Sequence, residues 1–559
     1  MSDAIHDMGA MVASRLDQAF PRLSGEEIDR LRRFGEERVY ADGERLFAAG
    51  EPGPGMFVVL DGAVAVTRRD GLGHAVPVLD QGVGEFLAEI GQLSGRPAFV
   101  DGHAKGAVRV LLLPPEGLRA SLVAEAGLGE RIMRALVLRR ISLIEQGAGV
   151  LLIGRADEAD TARLLGFLTR NGQPHRLVDP DDAQAVDIVS AHRAEALPLV
   201  VAPGGDVLER PDEGALAAAI GMTAPEGLDG RSFDVAIVGA GPAGLATAVY
   251  AASEGLSVAV FDLRAFGGQA GASARIENLL GFPTGITGQA LAGRAYTQAL
   301  KFGAEMAIPT AVARLNCAAA ADGVLRLELV GGGTVEARSV VLAAGARYRR
   351  LPVDGLERFE SRGIWYWASP IEARMTAGHE VLLVGGGNSA GQAAVYLSEH
   401  ARRVRVLVRR PLAETMSQYL VERIGAAANI EVVTGASVTA LDGAEHLERV
   451  TWTAPDGEHV EPIRHLFLFI GAEPATEWLD GCGVARERGF VATGDAVPAD
   501  AQAGQGWTDR KPAPLETSVP GVFAIGDVRA GSVKRVGAAI GEGAAVVAQL
   551  HAHLAAQPR

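Results

Sequence analysis

Gly239, Gly241 and Gly244 punctuate the stretch "DVAIVGAGPAGLATAVYAAS", between an apolar run that reads as a strand and a small-residue run that reads as a helix. Glycines at that spacing suit the binding of a dinucleotide. The first permits the tight turn, the second lets a pyrophosphate approach the main chain, and the third lets helix lie on strand, with the anion at the helix N-terminus. Asp262 closes the next strand, "SVAVFD", where an acid takes ribose hydroxyls. A second stretch, "EVLLVGGGNSAGQAAVYLSEHARRVRVLVRR", sets Gly385 and Gly387 in G-x-G-x-x-A with Asn388 and Ser389 at the helix start. Its second strand ends in Arg409 and Arg410. A positive pair there suits the 2'-phosphate of NADPH, whereas an acid would favour NADH, and NADH stays open as an alternative.

Thiol chemistry is scarce. Cys317 and Cys482 lie far apart in a chain of 559 residues, which predicts neither a local dithiol, nor a disulfide framework, nor a cysteine-based metal site. No metal is expected. A net charge of −15 disfavours nucleic acid and anionic membrane as main partners. The first twenty residues carry early acids and lack the layout of a signal peptide, and the longest uncharged run, residues 235–253, is broken by glycines and a proline. A cytoplasmic location with no membrane span is the expectation.

These residues need several folded units to position them, and a hydrophobic content of 48% supports more than one core. "SGEEIDRLRRFGEERVY" reads as a helix capped by Ser24. Short alternating strands between glycine turns follow, as in a small β-barrel, and residues 116–146 are again helical. From residue 149 the pattern becomes β-α-β: "GVLLIG", a helix through "DTARLLGFLTRNG", the strand "HRLVD", then "LPLVVAPGGDVLE" and a terminal helix. The linker "TAPEGLDGRS" leads to the two glycine-turn units. The reading is a multidomain α/β protein. An N-terminal barrel with flanking helices covers residues 1–147, and a small α/β domain covers 148–224. A first nucleotide-binding domain, 225–350 and 476–559, is interrupted by a second at 351–475.

From about residue 232 the chain resembles the low-molecular-weight thioredoxin reductase family, matching "VGAGPAG", "GGQA", "IENLLGFP", "VVLAAGA", "VGGGNSA", "FIGAEP" and "FAIGDV" in order. The resemblance implies an FAD domain interrupted by an NAD(P)H domain, a homodimer, and hydride passing from nicotinamide to flavin. It implies that Gly267, Gly268, Gln269 and Asn278 touch FAD, that Asp527, after Gly526, holds its ribityl chain, and that Arg535 meets the isoalloxazine edge. The departures are specific. The family's redox cysteines fall at Trp367 and Pro370, neither a thiol, and of its basic motif for the 2'-phosphate only Arg409 and Arg410 are present. Electrons are therefore expected to leave from the flavin itself, with Trp365, Tyr366 and Trp367 lining or stacking on its ring.

Residues 46–110 resemble the cyclic-nucleotide-binding family through "LFAAGEPGPGMFVVLDGAVAV" and "GEFLAEIGQLSGRPAF". Glu89 matches the acid that holds a ribose, Ala98 stands where the phosphate-binding arginine belongs, and Arg96 lies two residues early. Glu89 and Arg96 are the candidate effector site. The small α/β domain is similar to a thioredoxin or glutaredoxin layout without its cysteines, and Leu197-Pro198 falls where that fold places a cis-proline. The function expected is an FAD-dependent NAD(P)H oxidoreductase without a redox dithiol. Its acceptor would be a ferredoxin-type protein, a quinone or another oxidant. The alternatives are a flavin- or nucleotide-sensing regulator and a disulfide reductase that borrows thiols from a partner.

Overall fold

The computed structural model describes residues 15–146, 148–222, 227–317, 323–502, 507 and 510–557. Ser24 opens the first capped helix as read, its Oγ accepting from the Glu27 N–H while the Glu27 carboxylate accepts from the Ser24 N–H. That helix covers only Gly25–Leu31. Gly35 is extended, and the expected helical residues beyond it form the strand Glu36–Tyr40, which pairs with Asp101–Leu113. Pairing with a long central strand outweighs the local helical pattern of five mostly exposed residues.

Asp101–Leu113 and Met56–Arg69 form the spine of the N-terminal sheet, with Ala75–Gly82 at one edge and Glu36–Tyr40 at the other. Their alternating residues bury Phe57, Val59, Val64, Val108 and Val110. The helices Pro115–Ala124 and Ala126–Glu145 follow, the second carrying Arg139 and Arg140.

The small domain has a four-stranded sheet ordered Val207–Glu209, Leu199–Val201, Val150–Ile153, His175–Val178, the last pair parallel. Three helices accompany it. Ala183–His192, capped by Asp182, is one that the sequence reading passed over. The Leu197–Pro198 peptide is cis. This is the strand order of a thioredoxin-like unit, with no cysteine on it.

In the first nucleotide-binding domain the parallel strands Glu305–Ala307, Val258–Phe261, Ser232–Val238 and Thr334–Leu342 lie side by side. Val522–Ala524 joins Thr334–Leu342 from the far end of the chain. The inserted domain is a parallel sheet ordered Ile364–Trp365, His465–Leu468, Glu380–Val384, Arg403–Val408, Ile430–Thr434. The chain leaves and re-enters through one antiparallel pair, Ala346–Tyr348 with Ala472–Pro474. Both sheets are apolar on both faces, as parallel sheets covered by helices require.

The appended domains are docked onto this body. One continuous core joins Leu118 and Leu93 of the barrel to Leu300 and Ala304 at the end of the helix Gly288–Lys301. The small domain is held by Arg264 and Glu213, paired through two guanidinium nitrogens at 2.7 and 3.0 Å. Further anchors are Asn171 Nδ2 donating to the Arg264 carbonyl and Gln289 Nε2 donating to the carbonyls of Thr169 and Arg170. Among the described residues no helix is long and apolar enough to cross a membrane.

Candidate functional site

Strand Ser232–Val238 stops at Gly239 because only a residue without Cβ fits there. Its φ is +112°, and an added Cβ would lie 2.2 Å from the Ala343 carbonyl oxygen. Helix Pro242–Ser253 then starts at Gly241, with Pro242 at its first position. A Cβ on Gly244 would fall 1.9 Å from the Gly239 oxygen, so this third glycine lets helix lie on turn, and Gly244 does not line the cavity. At Gly241 a Cβ would meet nothing closer than Gly268 Cα at 3.9 Å, so the main chain there is open to a ligand.

This turn forms part of the wall of a cavity of about 1880 Å³ that runs between the two nucleotide-binding domains. The cavity gathers residues from distant parts of the sequence: Gly239, Gly241 and Asp262; Gly268, Gln269 and Asn278; Gly526, Asp527 and Arg535; and, from the inserted domain, Gly385, Gly387, Asn388, Ser389, Arg409 and Arg410. Gly267 stands behind this wall. It is buried at φ +95°, and a Cβ would strike Ala292 Cβ at 2.7 Å, so it shapes the turn that presents Gly268.

Asp262 has more partners than its sequence position suggested. Its carboxylate accepts N–H bonds from Ala240 at 2.9 Å, Arg264 at 3.0 Å and Ala265 at 3.2 Å, tying the glycine turn to the strand end. Burial raises its pKa, and these N–H groups oppose that. Asp527 is raised from the ordinary carboxylate range by burial too, opposed by the Lys534 ammonium. No side-chain bond of Asp527 is made among the described residues, which leaves its oxygens as acceptors on the cavity wall. Asn388 Oδ1 accepts from the Ser417 N–H at 2.7 Å, so its side chain holds a neighbouring loop at the second glycine turn. Arg409 and Arg410 are exposed on the cavity and make no ion pair among the described residues.

Trp367 and Pro370 lie on the same wall. Pro370 opens the helix Pro370–Met375, Ser369 caps it, and the buried Glu372 carboxylate accepts from Trp367 Nε1 at 3.0 Å and from the Ser369 N–H at 2.9 Å. The three aromatics do not act together as expected. Tyr366 stacks on Tyr348 at 5.9 Å, outside the main cavity. Trp365 turns into the core of the inserted domain at 5% exposure and donates to His465 Nδ1. Successive residues of a strand point to opposite faces, which the run of aromatics concealed.

The two cysteines, far apart in sequence and both free, are neighbours in space. Cys317 follows the strand Val312–Asn316 and Cys482 follows the turn Glu477–Leu479, and the two side chains come together in the core of the first domain. The neighbouring Cys317 thiol lowers the pKa of Cys482, while that neighbour and burial raise the pKa of Cys317. Neither cysteine lines the cavity.

Glu89 and Arg96 are each engaged within the protein. Glu89 caps its own turn, Ile90–Leu93, through the Gly91 N–H at 2.7 Å, and its other oxygen accepts from Arg140 Nη1 at 3.2 Å. Arg140 reaches on to the Gly172 carbonyl and Gln173 of the small domain. Arg96 lies over the ring of Tyr296 at 5.8 Å, and Tyr296 stacks on Phe266 at 4.4 Å, next to Gly267. Ala98 pairs with Ala49 across the barrel.

The profile of the pyridine nucleotide-disulphide oxidoreductase family matches residues 233–543, more than half of the chain. This protein belongs to that family. The cyclic nucleotide-binding domain profile matches residues 37–124. Among curated relatives, the thioredoxin reductase of Mycoplasmopsis pulmonis is 32% identical over 56% of this chain and 94% of its own length. The NADH dehydrogenase of Ferdinandcohnia aciditolerans is 30% identical over 58% of each chain. The solved thioredoxin reductase of T. acidophilum is 29% identical, with a TM-score of 0.51 over 58% of this chain and 100% of that one. As a member of this family the chain is an oxidoreductase built on a thioredoxin reductase-like core, with a cyclic nucleotide-binding domain at its N-terminal end.

One residue that the sequence reading missed sits in the same cavity. Arg170, from the small domain, lines it beside Gly239 and Asp262. Nothing within its own helix marks it, because its neighbours there come from a domain about a hundred residues later in the chain.

Proposed function

We propose that the protein is an FAD-dependent NAD(P)H oxidoreductase whose electrons pass from the flavin directly to an external acceptor. The observation that carries this reading is the cavity wall at Trp367 and Pro370, where the thioredoxin reductase pattern needs two thiols, together with a cysteine pair placed elsewhere. An indole and a pyrrolidine can neither attack a disulfide nor take electrons into one. The residues present fit the two cofactors: an open main chain at Gly241, and, with no side-chain partner among the described residues, the carboxylate of Asp527 and the guanidinium groups of Arg409 and Arg410.

When bound, the nicotinamide supplies a hydride that the flavin accepts and later releases as electrons. The chain's own part is positional and electrostatic. The N–H groups at the start of helix Pro242–Ser253 receive a pyrophosphate. Asp527 would accept from ribityl hydroxyls, and Gly268, Gln269, Asn278 and Arg535 would help to hold the flavin. Gly385 and Gly387, with Asn388 and Ser389 at the helix start, receive the nicotinamide dinucleotide. Arg409 and Arg410 favour NADPH through its 2'-phosphate, and NADH is the alternative. Trp367, fixed by Glu372, shields the wall that the dithiol would occupy. A ferredoxin-type protein, a quinone or a small oxidant is the acceptor class, the enzyme works as a cytoplasmic homodimer, and the unit limits are those of the sequence reading, where residues 147, 224 and 225 lie outside the described residues.

Anaerobic reduction by NADPH and by NADH, followed by flavin absorbance and then by reoxidation with each acceptor class, tests this. Flavin bleaching with no thiol production from thioredoxin is expected. Robust thiol production that disappears when Cys317 and Cys482 are both changed to Ser would refute the reading and put the buried pair on the electron path. The contact of Arg96 with Tyr296 favours a second reading, a barrel that senses rather than merely docks.

A further inference from the structure

We propose that Arg170 is a ligand of the flavin dinucleotide, supplied by the appended thioredoxin-like domain to the diphosphate of the cofactor's ADP half. This rests on the FAD reading above and extends it to a domain with no redox group of its own.

Arg170 ends the helix Ala159–Arg170, crosses to the first nucleotide-binding domain, and donates from Nη2 to the Gly268 carbonyl at 2.9 Å. Its side chain lines the cavity with Gly239, Gly241 and Asp262. Its Nε is buried and has no partner among the described residues. A neutral acceptor on one nitrogen leaves most of a guanidinium's five donors unused, which is costly at the one nitrogen, Nε, that is out of reach of water. The nearby carboxylates are already engaged. Glu213 is bound by Arg264 through two nitrogens, and Asp262 receives three main-chain N–H bonds. Arg264 adds a repulsive positive charge, and burial, the larger effect, with that charge lowers the pKa of Arg170. A half-buried cation with open donors, lining the same cavity as the positive end of helix Pro242–Ser253, suits an anion held between them. A diphosphate meets both. Arginine suits it because its planar fork reads phosphate oxygens in pairs.

The consequence is that the small domain belongs to the cofactor site. The main chain of Thr169 and Arg170 is anchored by Gln289, so the guanidinium is held from the flavin domain's side.

The test is equilibrium binding of FAD and of ADP to the flavin-stripped full chain, by flavin fluorescence and by ADP displacement, in the parent, Arg170→Gln and Arg170→Lys. Arg170→Gln should raise the Kd of both FAD and ADP on the order of ten- to a hundredfold, the effect of one charge-assisted contact. Arg170→Lys, which keeps the charge without the planar fork, should recover part of the loss. An unchanged Kd for FAD in Arg170→Gln overturns the proposal, and so does a loss for FAD with none for ADP. If Arg170→Gln fails to fold by circular dichroism, Gln289→Ala decides. It keeps every charge and frees the anchored main chain, so it should weaken FAD and ADP alike, and parent-like binding would overturn the proposal. A parent that binds no FAD refutes the flavoprotein reading itself, whereas a parent that binds FAD with Arg170→Gln equal to it refutes only the role of Arg170.

Discussion

Titration of cyclic AMP into the full protein should give only weak binding, and the structure sets the scale. A cyclic phosphate carries one negative charge, and where the cyclic-nucleotide pattern places an arginine, Ala98 is 3% exposed and paired with Ala49. The missing guanidinium forfeits a charge-assisted contact of about 1.5 to 3 kcal/mol. A ribose must also compete for Glu89. That carboxylate bonds to Arg140 with only 11% and 14% of the two side chains exposed, and displacing it leaves Arg140 without its charge partner, again about 1.5 to 3 kcal/mol. Together these remove roughly two to four decades of affinity relative to a barrel that has both groups free. Calorimetry with cyclic AMP and cyclic GMP, on the parent and on Glu89→Gln and Arg96→Ala, measures it. Low-micromolar binding in the parent that is lost in either variant would refute the reasoning, since it would show that the loop rearranges to give Arg96 or Glu89 to the ligand.

Replacing Arg409 and Arg410 by Ala should raise the KM for NADPH far more than for NADH, on the order of tenfold or more, and equal effects on both cofactors would show that the pair reads no 2'-phosphate. His465 is 9% exposed, accepts from Trp365 Nε1, and is held neutral with a pKa lowered to about 4, chiefly by burial and then by His379 and Arg464. Because the unfolded chain binds that proton more readily, stability should be complete above pH 6.5 and fall toward pH 4 by up to roughly 3 kcal/mol, with His465→Gln flattening that slope in urea unfolding at several pH values. In helix Val536–Ala556, Gly543→Ala places Cβ 2.4 Å from the Ala243 carbonyl oxygen and should cost about 1 to 3 kcal/mol by overpacking, whereas Gly541→Ala on the same helix meets nothing within 4 Å and should be neutral or stabilising by up to about 1 kcal/mol in thermal unfolding.

What was legible in the sequence was what lies within one strand-turn-helix unit. The turns at Gly239 and Gly385 declare themselves because their steric demands fall on adjacent residues, and the barrel and the small α/β unit follow from period-two and mixed patterns. What was hidden is tertiary. Cys317 and Cys482 meet only because the edge strand Val312–Asn316 passes the turn Glu477–Leu479 after the inserted domain has intervened. Arg170 gains its meaning from a neighbouring domain, and Trp365 is directed inward by the pleat of a two-residue strand. At Glu36–Tyr40 a local helical pattern gave way to ladder pairing, the usual outcome where a weak propensity competes with a full edge of main-chain hydrogen bonds.

The path from Arg96 through Tyr296 to Phe266 abuts the turn that presents Gly268. Equilibrium linkage makes such an arrangement two-way. Any ligand or contact on the barrel that moves Arg96 and changes the hold on the cofactor by some factor must itself be held more or less tightly by that same factor when the cofactor is present. Where such coupling holds, flavin saturation at equilibrium would measure the barrel's state as much as flavin supply.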